Sequence, residues 1–240
     1  MFPDPNRGEG RVDGLPAAVE RYRAEYRATE IPAHYSGTAH ALFTFGVVPL
    51  ILAACLLQLE AVSWREWLVV PASLVYANLV EYVGHRWPMH RPFPGLGLIY
   101  KRHAGQHHRF FTHEAMLVES RRDFRVLLFP PVLVVFFFGG FAAPVWFLLE
   151  AFVSANVAWL FVATGIAYYL NYEVLHTAYH LPDSHWLARI GLVRRLRWLH
   201  QAHHDPRLMA SRNFNITYPL GDWLLGTLHR PRDGATRSAP

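Results

Sequence analysis

Cysteine is almost missing from this chain. One thiol, Cys55, stands alone in an apolar run. No intramolecular disulfide can form, and one thiol builds neither a zinc ribbon nor an iron–sulfur cluster. Charge is scarce too. Charged residues are 17% of the sequence and hydrophobic residues 52%, where a water-soluble domain carries about 25% charged. The polar residues 1–14, rich in Pro and Gly, have no apolar core of the kind that marks a cleaved signal peptide. No internal repeat is visible, and 240 residues leave little room for a second domain. The net charge of +5 raises nucleic acid as a partner. The arginines are dispersed around apolar spans, however, and no recognition motif accompanies them, so nucleic-acid binding is set aside. Arginines placed by membrane topology fit better.

What is present is apolar and aromatic. Trp, Tyr and Phe make up 15% of the residues, which suits membrane interfaces. Four segments approach the length needed to cross hydrocarbon: 41–59, 67–83, 126–141 and 151–172. Pro130 and Pro131 threaten the third, which is expected to span incompletely or to re-enter. Gly139-Gly140 followed by Pro144 reads as a tight helical hairpin between the third and fourth. With four crossings, 1–40, 84–125 and 173–240 share one side. Of the 23 Lys and Arg, only Arg65 falls in the short connections on the other side. The positive side faces the cytoplasm, so both termini are expected there. The expected organisation is a polar segment and surface helix over 1–40, a membrane domain over 41–228 and a flexible tail over 229–240. Residues 15–30 carry Arg and Glu at helical spacing, the pattern of a solvated amphipathic face on the membrane surface.

The chemistry lies in histidine. Fifteen are present, and most fall into four groups: His85 and His90; His103, His107 and His108; His176 and His180; His200, His203 and His204. Spacings of three and four place side chains on one helix face. The pair His85 and His90 does not fit an ideal face, and Pro88 between them should end or bend the helix. Imidazole suits Fe, Zn, Cu and Ni, and one ion takes four to six ligands. These ten are too many for one ion and right for two. All four groups fall on the predicted cytoplasmic side, where helices leave the membrane. A lone histidine at such an interface is ordinarily a satisfied structural residue. That reading is kept for His34, His40, His113, His185 and His229, with His113 the leading exception. A ligating imidazole hands its other N–H to a carboxylate or carbonyl. Candidates are Glu81, four residues before His85, Glu173, three before His176, and Asp205, next to His204. A carboxylate near a span is costly without a reason, which favours Glu81.

With these residues in view, the sequence resembles the fatty acid hydroxylase and sterol desaturase superfamily. The matching text is Glu81-Tyr82-Val83-Gly84-His85-Arg86 through His90, then His103-Ala104-Gly105-Gln106-His107-His108, His176 to His180, and His200-Gln201-Ala202-His203-His204. The stretch Asn213 to Thr227, with Asp222 and Gly226, resembles the end of that family's domain. The likeness covers roughly residues 40 to 228 and is nearest in motif to the fatty acid 2-hydroxylases. It implies an all-α integral membrane fold, about four transmembrane helices capped by a cytoplasmic helical dimetal-binding domain. It also implies a ligand partition: one ion on His85, His90, His103, His108 and His203, the other on His107, His176, His180, His200 and His204. The implied cofactors are two iron ions (zinc in protein as isolated), O2 and external electrons. No cytochrome b5 segment is visible, so a separate donor such as a ferredoxin or cytochrome b5-like protein is expected.

The resulting expectation is an O2-dependent diiron hydroxylase acting on a C–H bond of a membrane lipid, with a fatty-acyl chain foremost. A carotenoid or sterol hydroxylase or desaturase of the same superfamily is the nearest rival. A membrane metal transporter or sensor would put its ligands within the spans rather than beyond their ends. A zinc hydrolase needs only three or four ligands.

Overall fold

An apolar segment in hydrocarbon must satisfy its backbone internally, and a helix does so without a partner. The computed structural model, which describes residues 15–230, follows that rule. It is all-helical; among the described residues the only strand-like pairing is an isolated bridge between Thr112 and Ala115.

Three helices are long and apolar enough to cross a membrane: α2 (Gly37–Leu56), α3 (Glu66–Met89) and α5 (Arg121–Phe152). Their most apolar stretches are only 22%, 17% and 11% buried inside the protein. Leu50, Val135 and Phe152 are among the large side chains left uncovered. Uncovered apolar surface on this scale marks contact with a membrane or partner. The fourth expected span, α6 (Ala155–Tyr179), does not join this group. It is long enough but carries Asn171, Glu173 and several tyrosines, and it packs against α2, α3 and the second half of α5. It is the buried hub of the bundle.

The third segment differs from expectation in two ways. The chain opens at residues 128–130 and helix restarts at Pro131, where Pro130 supplies an extended N-cap and Pro131 the first turn. Gly139-Gly140 and Pro144 make no hairpin. Helix continues through a π-helical turn, Phe138–Ala142, into Ala143–Phe152. Proline lacks an N–H and crowds the carbonyl four residues back, and the widened π turn absorbs both defects. Pro49 follows a π turn in the same way, and Pro88 lies within one. The reversal comes instead at Val153-Ser154, where Ser154 caps α6 by accepting from Val157 N.

At that end Glu66 accepts from Ser154 Oγ at 2.7 Å, and Asn156 exchanges hydrogen bonds with the Glu60 backbone. At the opposite end the remaining chain gathers. It comprises α1 (Ala17–Thr29), α4 (Gly97–Tyr100 running through Lys101–His107 into His108–Phe110), α7 (Gly191–His203) and the short α8 (Leu220–Leu224). Helix α1 keeps a solvated face, with Glu20, Arg21 and Glu25 exposed, and is anchored by the other. Arg23 is 1% exposed, and Tyr26 packs edge-on against Phe110 at 5.5 Å.

Candidate metal centre

The histidines reach the centre from α3, α4, α6 and α7, all at the same end of the bundle. Local helix geometry sorts them. His85–Met89 and Lys101–His107 are π-helical, so a residue and its fifth neighbour share a face. This is why His85 joins His90, and His103 joins His108, at spacings an α-helix would misalign. On α-helical α6 and α7, spacing four brings His176 to His180 and His200 to His204. Pro88 sits inside the π turn that aligns the pair, and α3 ends one residue beyond it at Met89.

Two groups of convergent nitrogens result. His85, His90, His103, His108 and His203 each offer a ligand atom within 4.8 Å of all the others, as do His107, His176, His180 and His200. His204 adjoins the second group, its Nε2 lying 3.0 Å from His200 Nε2. The groups touch: the His108 and His204 rings stack at 4.3 Å and those of His103 and His107 at 5.3 Å. The other five histidines stand elsewhere. His40 bridges Tyr35 OH and the Phe129 carbonyl, and His229 stacks on Trp198. His113 faces Glu114, His185 stacks on Trp186, and His34 is exposed.

The ring orientations are set from behind. His107 Nδ1 donates to Val126 O at 3.1 Å, His180 to Met116 O at 2.6 Å, His203 to Arg212 O at 2.9 Å, His204 to Phe111 O at 2.5 Å, and His85 to Phe214 O. A proton held at Nδ1 leaves the Nε2 lone pair aimed inward. The Nδ1 atoms of His108, His176 and His200 are buried without a partner. Burial keeps the rings neutral: it is the main cause that pushes His107 and His203 down to about 4 and His90 to about 2.

Neutral nitrogens packed lone pair to lone pair repel unless a cation lies between them. The spacing fits one. Nε2 atoms sit 2.8 Å apart for His85 and His103, 3.0 Å for His90 and His203, 3.0 Å for His103 and His108, 3.1 Å for His180 and His200, and 3.3 Å for His107 and His176. Two nitrogens about 2.1 Å from one ion lie about 3.0 Å apart at a right angle and about 3.4 Å apart at the tetrahedral angle. The observed spacings lie in the range expected of neighbouring nitrogens on one shared ion.

The three carboxylates do something other than touch histidine. Glu81 accepts from Thr217 Oγ1 at 2.6 Å, Thr217 N at 3.0 Å, Tyr168 OH and Ile216 N. It pins the strap whose Phe214 carbonyl receives His85. Glu173 accepts from Phe129 N and Tyr169 OH, both near 3 Å. Asp205 folds onto Arg207 at the surface. The sequence marked Asp222 only as part of a family-like stretch, not as the support behind the ligands. Asp222, fully buried, accepts from Phe214 N, Asn215 N and Thr227 Oγ1. Arg23 donates to the carbonyls of Phe110, Ala115 and Leu117, holding the loop that carries the Phe111 and Met116 acceptors.

Beside the histidines lies a small cleft, partly open to the outside. His103, His107 and His176 form one wall. Met89, Ile99, Leu127, Phe129, Leu133 and Tyr172 form most of the rest. An apolar wall facing the clustered histidine nitrogens suits a hydrocarbon chain.

Comparison with known proteins fits this geometry. The fatty acid hydroxylase family model matches residues 70–227. This chain belongs to the fatty acid hydroxylase family. Its family domain thus runs from α3 to the end of the 213–227 strap and takes in every histidine of both clusters. A beta-carotene hydroxylase of Paracoccus sp. is 31% identical over 144 residues, covering 58% of this chain and 74% of that protein. A solved structure described as full-length scs7p, with only the hydroxylase domain visible, aligns at a TM-score of 0.54. That alignment covers 83% of this chain and 67% of the other at 21% identity, a likeness of fold. Family membership makes the protein a membrane-associated hydroxylase, an oxidoreductase of the lipid class, with histidine clusters able to bind metal.

Proposed function

We propose that this protein is a non-haem diiron hydroxylase that uses O2 and two external electrons to oxidise a C–H bond in the acyl chain of a membrane lipid. The observation carrying the proposal is the pair of touching, neutral histidine clusters opening onto one apolar cleft. One ion is assigned to His85, His90, His103, His108 and His203. The other is assigned to His107, His176, His180, His200 and His204. When bound, the iron pair supplies O2 activation and the oxidising power to break an unactivated C–H bond.

The chain does the rest. Backbone carbonyls hold protons at Nδ1, so that each Nε2 stays free. Leu127, Phe129, Leu133 and Tyr172 exclude water and line up the hydrocarbon. The site and both termini are assigned to the cytoplasm because the basic residues crowd that side. Moving the reversal to Val153-Ser154 adds none to the other. Electrons come from a separate acidic donor, of ferredoxin or cytochrome b5 type. Exposed Arg194 and Arg195 on α7, whose other face carries three ligands, offer it a docking charge.

A carotenoid substrate is the second reading, favoured by the beta-carotene hydroxylase relative. The first experiment measures metal on detergent-purified protein, wild type beside a His107→Ala, His204→Ala double variant. Two irons per chain, lost in the variant, are expected. One ion or none, unchanged by the substitutions, refutes the centre. Turnover of carotenoid but not acyl lipid by the iron-loaded enzyme would replace the acyl reading with the carotenoid one.

A further inference from the structure

One cation of the cleft is unmatched. Arg102 lines it beside His103, and Arg102 Nη2 donates to the backbone carbonyl of Arg125 at 2.7 Å. The two guanidinium-bearing residues thus stand together, both half-buried. Elsewhere Arg23, Arg27, Arg197 and Arg207 each meet a carboxylate. Among the described residues no ion pair forms at Arg102 or Arg125. Arg125 Nε is buried without a hydrogen-bond partner, and its guanidinium rests over the Tyr35 ring at 5.9 Å. Nearby Glu30 is engaged by Lys101 and Gln106. Two like charges drawn out of water without an anion are costly. A planar guanidinium fork is the group best matched to a carboxylate or phosphate.

We infer that Arg102, backed by Arg125, is an anion-docking site that holds the ionised head of an amphiphilic substrate while its hydrocarbon chain lies in the cleft. This rests on the lipid-hydroxylase reading and narrows it to substrates with a carboxylate or phosphate at one end. Because Arg102 adjoins His103, the carbon presented to the histidines lies few bonds from that head. A carotenoid, having no anionic group, gains nothing from the pair.

The test is equilibrium binding to detergent-purified, metal-loaded full-length protein, followed by tryptophan fluorescence. The probes are a saturated long-chain fatty acid, its methyl ester and an alkyl phosphate of the same chain. Wild type is expected to prefer an anionic probe over the ester by about tenfold or more. Arg102→Gln should remove that preference and leave ester binding unchanged. Preference for the acid assigns a free carboxylate, and preference for the phosphate alone assigns a phospholipid-type head; both support the site. Equal wild-type affinity for all three overturns it, whatever the variants do. So does a variant that keeps the full anion preference. If Arg102→Gln fails to fold, Arg125→Gln is measured the same way. Metal content is read on the same samples, so loss of the anion site with two ions retained leaves the hydroxylase reading intact.

Discussion

Asp222 touches no histidine, yet its replacement by Asn should empty one metal site and spare the other. Its carboxylate accepts from Phe214 N at 2.9 Å, Asn215 N at 2.7 Å and Thr227 Oγ1 at 2.6 Å. The Phe214 carbonyl on the same strap receives His85, and the Arg212 carbonyl just before it receives His203, both in the five-histidine cluster. Asn keeps the shape but turns one oxygen into a donor facing an N–H. The loss is one charge-assisted bond and one satisfied donor, about 2–4 kcal/mol. In a chain of this length that is a fall in Tm of roughly 5–15 °C. Removing such support behind a ligand weakens metal binding by about 10–100-fold. The assay is metal per chain after dialysis against a weak chelator, with Tm recorded beside it. About half the metal should go, because the ring nitrogens of His107 and His180 are held by Val126 and Met116 and neither His176 nor His200 hydrogen-bonds to the strap. Two ions retained at an unchanged Tm would refute the argument that the strap orients the ligands.

Other outcomes follow from the same geometry. Arg23→Met should cost about 3–5 kcal/mol, since it strips a buried cation from Glu119 and three carbonyls. The affected metal should be the one near His180 and His204, and Arg23→Lys should not restore it, because a point charge cannot span those acceptors. Wild-type metal content in Arg23→Met would contradict this. Metal-free protein should be acid-labile. His107 and His203 are depressed to about 4 in the fold from 6.5, so the unfolded chain binds more protons between those values. The stability they contribute is whole above pH 6.5 and is lost as pH falls toward 4; a flat Tm across that window would contradict it. Gly221→Ala should destabilise without touching the site directly, because a Cβ there would lie 2.8 Å from both Asn215 Oδ1 and Tyr82 Cβ. Its thermal melt checks this, and a wild-type Tm would count against the close packing. His229→Ala should retain full metal content and activity.

Ligand spacing was legible in the sequence because it is a side-chain property. His176 and His180 announce a shared face and fall in one cluster, whereas His103 and His107, at the same spacing, fall in different ones. His85 and His90 looked misaligned because an α-helical period was assumed, and only backbone geometry reveals the π turn that realigns them. The same widening carries helix past Pro144, so the hairpin read from Gly139-Gly140 falls instead at Val153-Ser154. The expected carboxylate partners failed for another reason. The acceptors behind the rings are main-chain carbonyls of residues 111, 116, 126, 212 and 214, and every residue has a carbonyl. A sequence cannot say which one a fold will present. Glu81 was noticed correctly as a costly carboxylate, but the cost is met by the strap rather than by His85.

The division of labour between side chain and main chain has a thermodynamic consequence. Each cluster is assembled from segments distant in sequence: His203 meets His90 from α7, and His176 meets His107 from α6. Bringing their lone pairs to about 3 Å is unfavourable without a cation. The buried Nδ1 atoms of His108, His176 and His200 add a desolvation cost that no carbonyl repays. Metal binding offsets these costs, so metal affinity and folding of this end are linked. The apolar helices share in this linkage only at their histidine ends, where His85 lies in the last turn of α3 and the Val126 carbonyl of α5 receives His107. Chelation should accordingly loosen α4, α7, the last turn of α3 and the 213–227 strap while α2, α5 and the rest of α3 stay helical. The helical bundle would then persist as a scaffold onto which the metal-binding end folds.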